Sequence, residues 1–237
     1  LAVGIAALAA QAGAGEALAE ASPIRHETYQ GLTSTLVMLF CAAQAPELFG
    51  RDQRYGVLPL FFSRVLTRTD YAVARMGGMF LAIFVVSIVP QLVLTLGAIL
   101  AAADPITGFG ADAPDIPRYL AVTLLASALF AAVSATIAAW TPRRAYATAG
   151  IIAAFIIPSV VSILVAELAV GDLARILVLV SPGDVVDGVN AALFGTIADS
   201  PAVAASGLPG WAFVVVACAG TVGLLAAILR RYHGIST

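Results

Sequence analysis

Two histidines, two cysteines and fourteen carboxylates are the side chains from which this 237-residue chain would have to build an active site. Their placement argues against one. His26 and His233 fall on opposite sides of the topology that the charges impose, and Cys41 and Cys218 lie in separate apolar stretches. No Cys/His cluster has the spacing of zinc ligands, and no Gly-x-Ser-x-Gly nucleophile elbow occurs. The chain has no lysine, so a phosphate loop of the Gly-x-x-x-x-Gly-Lys type is excluded. Neither a catalytic residue nor a metal site is expected. What chemistry remains is non-covalent, and it concentrates in Pro46 to Arg75, which holds Arg51, Arg54, Arg64, Arg68 and Arg75, five of the twelve arginines.

The rest of the chain is what positions that basic stretch. Hydrophobic residues make up 61% of the sequence and charged ones 11%, against roughly 45–50% and about 25% in soluble domains. An all-α integral membrane protein is expected, as a single transmembrane domain over 1–237. Apolar segments predict six spans, at about 1–15 (partial), 28–47, 76–102, 119–140, 145–170 and 211–229. The first, LAVGIAALAAQAGAG, is shorter than the roughly 20 residues a helix needs to cross a bilayer. It reads as the outer part of a truncated span or as a signal-peptide core.

Short Lys/Arg-rich loops stay on the cytoplasmic side, which pins the stretch 47–75 there. Threading the remaining spans puts nine arginines and three acids (Glu47, Asp52, Asp70) inside. Arg25, Arg118 and Arg175 fall outside with the other eleven acids. Both termini are then cytoplasmic.

Inside the spans the sequence offers little that could carry an ion. A charge at bilayer depth costs about 2.5–3.5 kcal/mol on insertion scales, and the predicted span cores hold none. Gln91, next to Pro90, and Gln44 are the strongest buried polar groups, either bonded between helices or touching a substrate. Pro90 and Pro158 predict kinks. The row Ser127, Ala131, Ala135 and Ala139 suits close helix packing, although so Ala-rich a chain also makes such rows by accident. In the outer connection 171–210, Leu173–Val180 is too short to span. Ser181-Pro182-Gly183-Asp184 reads as a helix start, with Ser as cap and Pro in the first turn. The segment is expected to be a pair of short interfacial or re-entrant helices, or else an amphipathic loop.

After Pro46, Glu47–Leu60 mixes Glu47, Arg51, Asp52 and Arg54 with Leu48, Phe49, Tyr55, Val57 and Leu58. That mixture suits a short helix lying at the inner membrane face, its polar side free for a soluble partner. Thr67 or Thr69 would cap the next span. Asp52-Gln-Arg-Tyr-Gly56-Val57-Leu58, then Phe62-Ser63-Arg64, then Thr69-Asp70-Tyr71 resemble the segment between spans two and three of ABC-2-type ATP-driven exporter permeases. The Ser181-Pro182 step between the last two spans is similar as well. Val65-Leu66-Thr67 departs from that pattern by lengthening the gap before Tyr71.

The resemblance implies a bacterial plasma-membrane permease that pairs with an identical or related permease and with two copies of a cytoplasmic ATP-binding subunit. ATP and Mg would be bound by that partner, leaving this chain without a cofactor; membrane lipid would surround it, and no nucleic acid is implied. Glu47, Arg51, Asp52, Arg54, Tyr55 and Leu58 would dock the ATPase. Gln44, Gln91, Pro158, Ser159 and Ser162 are candidates for the substrate path. A hydrophobic or amphipathic cargo (drug, antibiotic or lipid) is expected. The alternatives are a self-contained carrier or channel, and a non-transporting membrane assembly protein.

Overall fold

A computed structural model describes residues 26–51, 55, 67–101, 106, 109–110, 113–141, 143–168 and 171–233. Among them all regular structure is helical: α1 (His26–Ala45), α2 (Arg68–Ala101), α3 (Asp115–Trp140), α4 (Arg144–Glu167), α5 (Gly171–Val180), α6 (Pro182–Phe194), α7 (Pro201–Ser206) and α8 (Gly210–His233). Four helices are long and apolar enough to cross a membrane: Thr69–Gly97 within α2, then α3, α4 and α8. The sequence predicted six. The first predicted span lies outside the described residues. The second is helical as α1 over His26–Ala45 and is not among the four.

Pro46 falls within the expected span 28–47 and does not break it. Proline has no N–H to give and its ring crowds the carbonyl four residues back, yet the chain continues helically as a π turn over Pro46–Gly50. The carbonyl so deprived belongs to Ala42, and Thr148 of α4 supplies the missing donor, Oγ1 to O at 3.0 Å. Phe49 and Gly50 are buried in this turn. The segment following the span therefore begins as a packed extension of α1.

The start of α2 also differs, eight residues ahead of the predicted 76. Thr67 is its cap: Thr67 Oγ1 accepts from the Asp70 N–H at 3.1 Å, and Asp70 Oδ2 accepts from the Thr67 N–H at 3.2 Å. This reciprocal pair is a capping box with Asp in the acidic position. It extends α2 to 34 residues.

Helix α3 is the centre of the bundle, packed on α1, α2, α4, α6 and α8. Ser127, Ala131, Ala132, Ala135, Ala138 and Ala139 are all fully buried, so its small residues do serve close approach of neighbouring backbones. Phe130 meets Phe155 of α4 edge-on, with ring centroids 4.9 Å apart. Helix α6 packs on α8 just as tightly. A Cβ on Gly188 would sit 2.4 Å from the Phe213 ring, and one on Gly210 would sit 2.5 Å from the Ala192 Cβ.

Candidate functional site

Five segments bring their charged or aromatic ends to the same end of the bundle. Glu47, in the π turn that ends α1, pairs with Arg144 at the start of α4 at 2.9 Å. Arg231, near the end of α8, donates Nε–H to the Ala139 carbonyl at 3.2 Å, filling an acceptor left open at the end of α3. Its guanidinium carbon stands 5.4 Å from the centre of the Trp140 ring. Thr69 at the start of α2 lies 3.1 Å from the His233 ring, and Tyr71 stacks on Tyr232 at 5.5 Å. Arg75 sits over Tyr71, and Arg143 over Tyr146. The described arginines of this end are thus Arg51, Arg75, Arg143, Arg144, Arg230 and Arg231. Arg118, paired with Asp115 at 2.8 Å, and Arg175, bonded to the Ser206 carbonyl at 3.1 Å, stand elsewhere, at the start of α3 and on α5.

Of the residues proposed for docking, Glu47 is half-exposed and engaged with Arg144, while Arg51 and Tyr55 are exposed. The Tyr55 N–H donates to the Arg51 carbonyl at 3.1 Å. Asp52, Arg54 and Leu58 lie outside the described residues.

The second locus lies towards the far end of α4. Ser162 is 18 residues beyond Arg144, about 27 Å along a helix at 1.5 Å per residue. Its hydroxyl donates to Asp184 Oδ2 at 2.5 Å and also lies 2.9 Å from the Ser159 carbonyl. Ser200 Oγ donates to Asp184 Oδ1 at 2.9 Å, and Ser159 Oγ stands 3.5 Å from the same oxygen. Asp184 is only 3% exposed. It sits in the first turn of α6, where Ser181 Oγ accepts its N–H at 3.3 Å. One turn on, Asp187 accepts the N–H groups of Asp199 and Ser200 at 3.3 and 2.9 Å, capping α7 from outside. Burial pushes the Asp187 carboxyl above its ordinary value, against the lowering effect of those two bonds.

The predicted span cores themselves hold no charge, but a carboxylate from the connection 171–210 is buried against one of them. The Ser181-Pro182 cap and first turn form as the sequence indicated. A cap, however, says nothing of which way its third residue faces. Packing turns Asp184 inwards, onto the serines beside Pro158. Two of the proposed path residues, Ser159 and Ser162, thereby meet one carboxylate that sequence reasoning had left outside.

Gln91 is 1% exposed, and it belongs to a polar ladder between α2 and α3. Ser87, Gln91 and Thr95 recur every four residues on one helix, and Tyr119, Thr123 and Ser127 do so on the other, all buried. Thr95 Oγ1 approaches the Tyr119 hydroxyl at 3.4 Å and donates to the Gln91 carbonyl at 3.1 Å. The Thr123 and Ser127 hydroxyls are buried without a hydrogen-bond partner among the described residues. The matching four-residue spacing was visible in the sequence; the pairing of the two helices was not. Gln44, by contrast, is exposed on α1 and takes no part.

Among the described residues no three His, Cys, Asp or Glu side chains converge as metal ligands would. The arrangement can do three things: present a cationic face, hold a buried carboxylate among hydroxyls, and offer neutral hydrogen-bonding groups between two long helices. Compared with known proteins, the chain matches no family model and no curated protein.

Proposed function

We propose that this chain is the permease subunit of an ABC-2-type exporter, moving a hydrophobic or amphipathic substrate at the expense of ATP hydrolysed by a separate cytoplasmic subunit. In this reading six spans cross the bacterial plasma membrane, the basic end of the bundle faces the cytoplasm with both termini, and a second permease completes the transporter. The observation that carries it is the gathering of Arg51, Arg75, Arg143, Arg144, Arg230 and Arg231 at one end, together with the Glu47–Arg144 ion pair. That pair, with the Thr148–Ala42 bond, ties the root of the docking segment to α4. Helix α4 then passes Pro158 and reaches Asp184 through Ser162. A push on the segment from a closing ATPase pair has a continuous route to the far end of the bundle. Reversing a two-state population from 1:99 to 99:1 requires about 5.5 kcal/mol of differential binding, delivered across this surface.

Co-purification tests the reading. Changing Arg51 and Arg54 to Glu should release a co-expressed ABC ATPase subunit while membrane insertion is unchanged. Retention of the ATPase with normal transport would remove the docking assignment.

A second reading, a self-contained carrier, is favoured by one observation: Asp184 is a buried carboxylate surrounded by serine hydroxyls. Intramembrane acids of this kind serve ion coupling in carriers. Proteoliposomes separate the two readings. Flux that follows a proton or sodium gradient without any ATPase selects the carrier, and flux that requires the ATPase and ATP selects the permease.

A further inference from the structure

The arginines of the basic end are not equivalent. Arg144 is neutralised by Glu47. Asp70, the other described acid of this end, is committed to the Thr67 cap. Arg143, Arg230 and Arg231 have no carboxylate partner among the described residues. Two of the three flank the turn that joins α3 to α4. Arg143 lies in that turn with its guanidinium 5.9 Å from the Tyr146 ring centre. Arg231 is held against the turn by its Nε bond to Ala139 and its stacking on Trp140. Those contacts leave the two terminal nitrogens of Arg231 with no hydrogen bond among the described residues. Trp140 is 45% and Tyr146 64% exposed, an unusual state for large rings unless they sit at a membrane–water boundary, where their amphipathic character is favoured. Nine residues back from Arg231 on α8, Val222 is an outward apolar side chain, 65% exposed.

We propose that Arg143 and Arg231, flanked by Trp140 and Tyr146, bind the phosphate of an anionic phospholipid in the leaflet at the basic end of the bundle. Guanidinium groups match phosphate oxygens in a planar fork. The Nε bond and the ring stack hold Arg231 in place, which lowers the side-chain entropy lost on binding. Basic sites between spans at a cytoplasmic face are where anionic headgroups are retained. A soluble anion would gain nothing from the exposed rings, whereas a phospholipid adds acyl contact along α3 and α8. The inference does not depend on whether an ATPase docks nearby.

The test uses the full chain, purified in detergent and offered phosphatidylglycerol or phosphatidylcholine, with retained lipid counted by native mass spectrometry. Phosphatidylglycerol should be retained in preference to phosphatidylcholine. Arg143→Gln with Arg231→Gln should weaken that retention about thirtyfold, the worth of two interfacial arginines facing an anionic lipid. Arg118→Gln, away from this end, should leave it unchanged. Arg143→Lys with Arg231→Lys, which keeps the charge, should recover part of it. Equal retention of the two lipids by the wild type overturns the proposal, and this comparison stands even if the Gln variant fails to fold. So does a folded Gln variant that holds phosphatidylglycerol as well as the wild type. Displacement of phosphatidylglycerol by millimolar inorganic phosphate would also overturn it, reassigning the patch to a soluble anion.

Discussion

Removing the Asp184 carboxylate should loosen the bundle where α4, α6 and α7 meet. In Asp184→Ala, Ser162 and Ser200 lose the acceptor they reach at 2.5 and 2.9 Å. Hydrogen bonds to a charged group contribute about 1.5–3 kcal/mol each, but the two losses are not equal. Ser162 can turn to the Ser159 carbonyl, already 2.9 Å away, so most of its bond is recovered. Ser200 has no such second acceptor among the described contacts, and the Ser159 hydroxyl at 3.5 Å contributes little. Relief from burying a carboxylate offsets part of the loss. The net cost works out at about 1–3 kcal/mol, from these per-bond values. For a chain of this size that corresponds to a fall of roughly 3–10 °C in melting temperature. Asp184→Asn keeps the shape and one acceptor oxygen, and should cost about 1–2 kcal/mol. Thermal unfolding of the detergent-solubilised chain reads both. A double-mutant cycle with Ser162→Ala should return a coupling of about 0.5–3 kcal/mol, as for residues in one network. A Asp184→Ala protein melting within a degree or two of the wild type would refute the reasoning, because the carboxylate would then be holding nothing.

Two further outcomes follow from the same region. Gly188→Ala places a methyl group on the Phe213 ring at 2.4 Å, and overpacking of this kind costs about 1–3 kcal/mol. Its melting temperature should fall, and Phe213→Leu in the same chain should restore part of the loss. Asp187 gives a pH signature. Its carboxyl is raised above the ordinary 3.8, so the folded chain holds that proton more tightly than the unfolded one. Its contribution to stability is therefore largest at low pH and falls as pH rises from about 3.8 through the raised value. The difference in melting temperature between wild type and Asp187→Asn should follow this slope; a difference independent of pH would contradict it.

Much of the architecture could be read without the structure. Helix α4 runs over 144–167 where 145–170 was expected, and α8 over 210–233 where 211–229 was expected. Apolar runs of this length leave the backbone one way to satisfy its hydrogen bonds in a membrane. Charged residues mark where those runs end. The Ser181 cap and the small-residue row on α3 were likewise visible, since both depend on residue type at short spacing. The Thr67 cap of α2 was visible too, and Asp70 closes a box with it three residues on. What could not be read is that Thr148, more than a hundred residues away, takes the Ala42 carbonyl that Pro46 leaves without a donor.

The sequence alone determined that this chain is helical, that its long apolar helices suit a membrane, and which stretches carry its positive charge. Those properties depend on hydropathy and local hydrogen bonding, which each segment expresses by itself. Only the tertiary structure decided that Asp184 is buried against Ser162 and Ser200, that Glu47 neutralises Arg144, and that Thr95 meets Tyr119. Each of these joins residues on different helices, and the direction a side chain faces is settled by what packs against it.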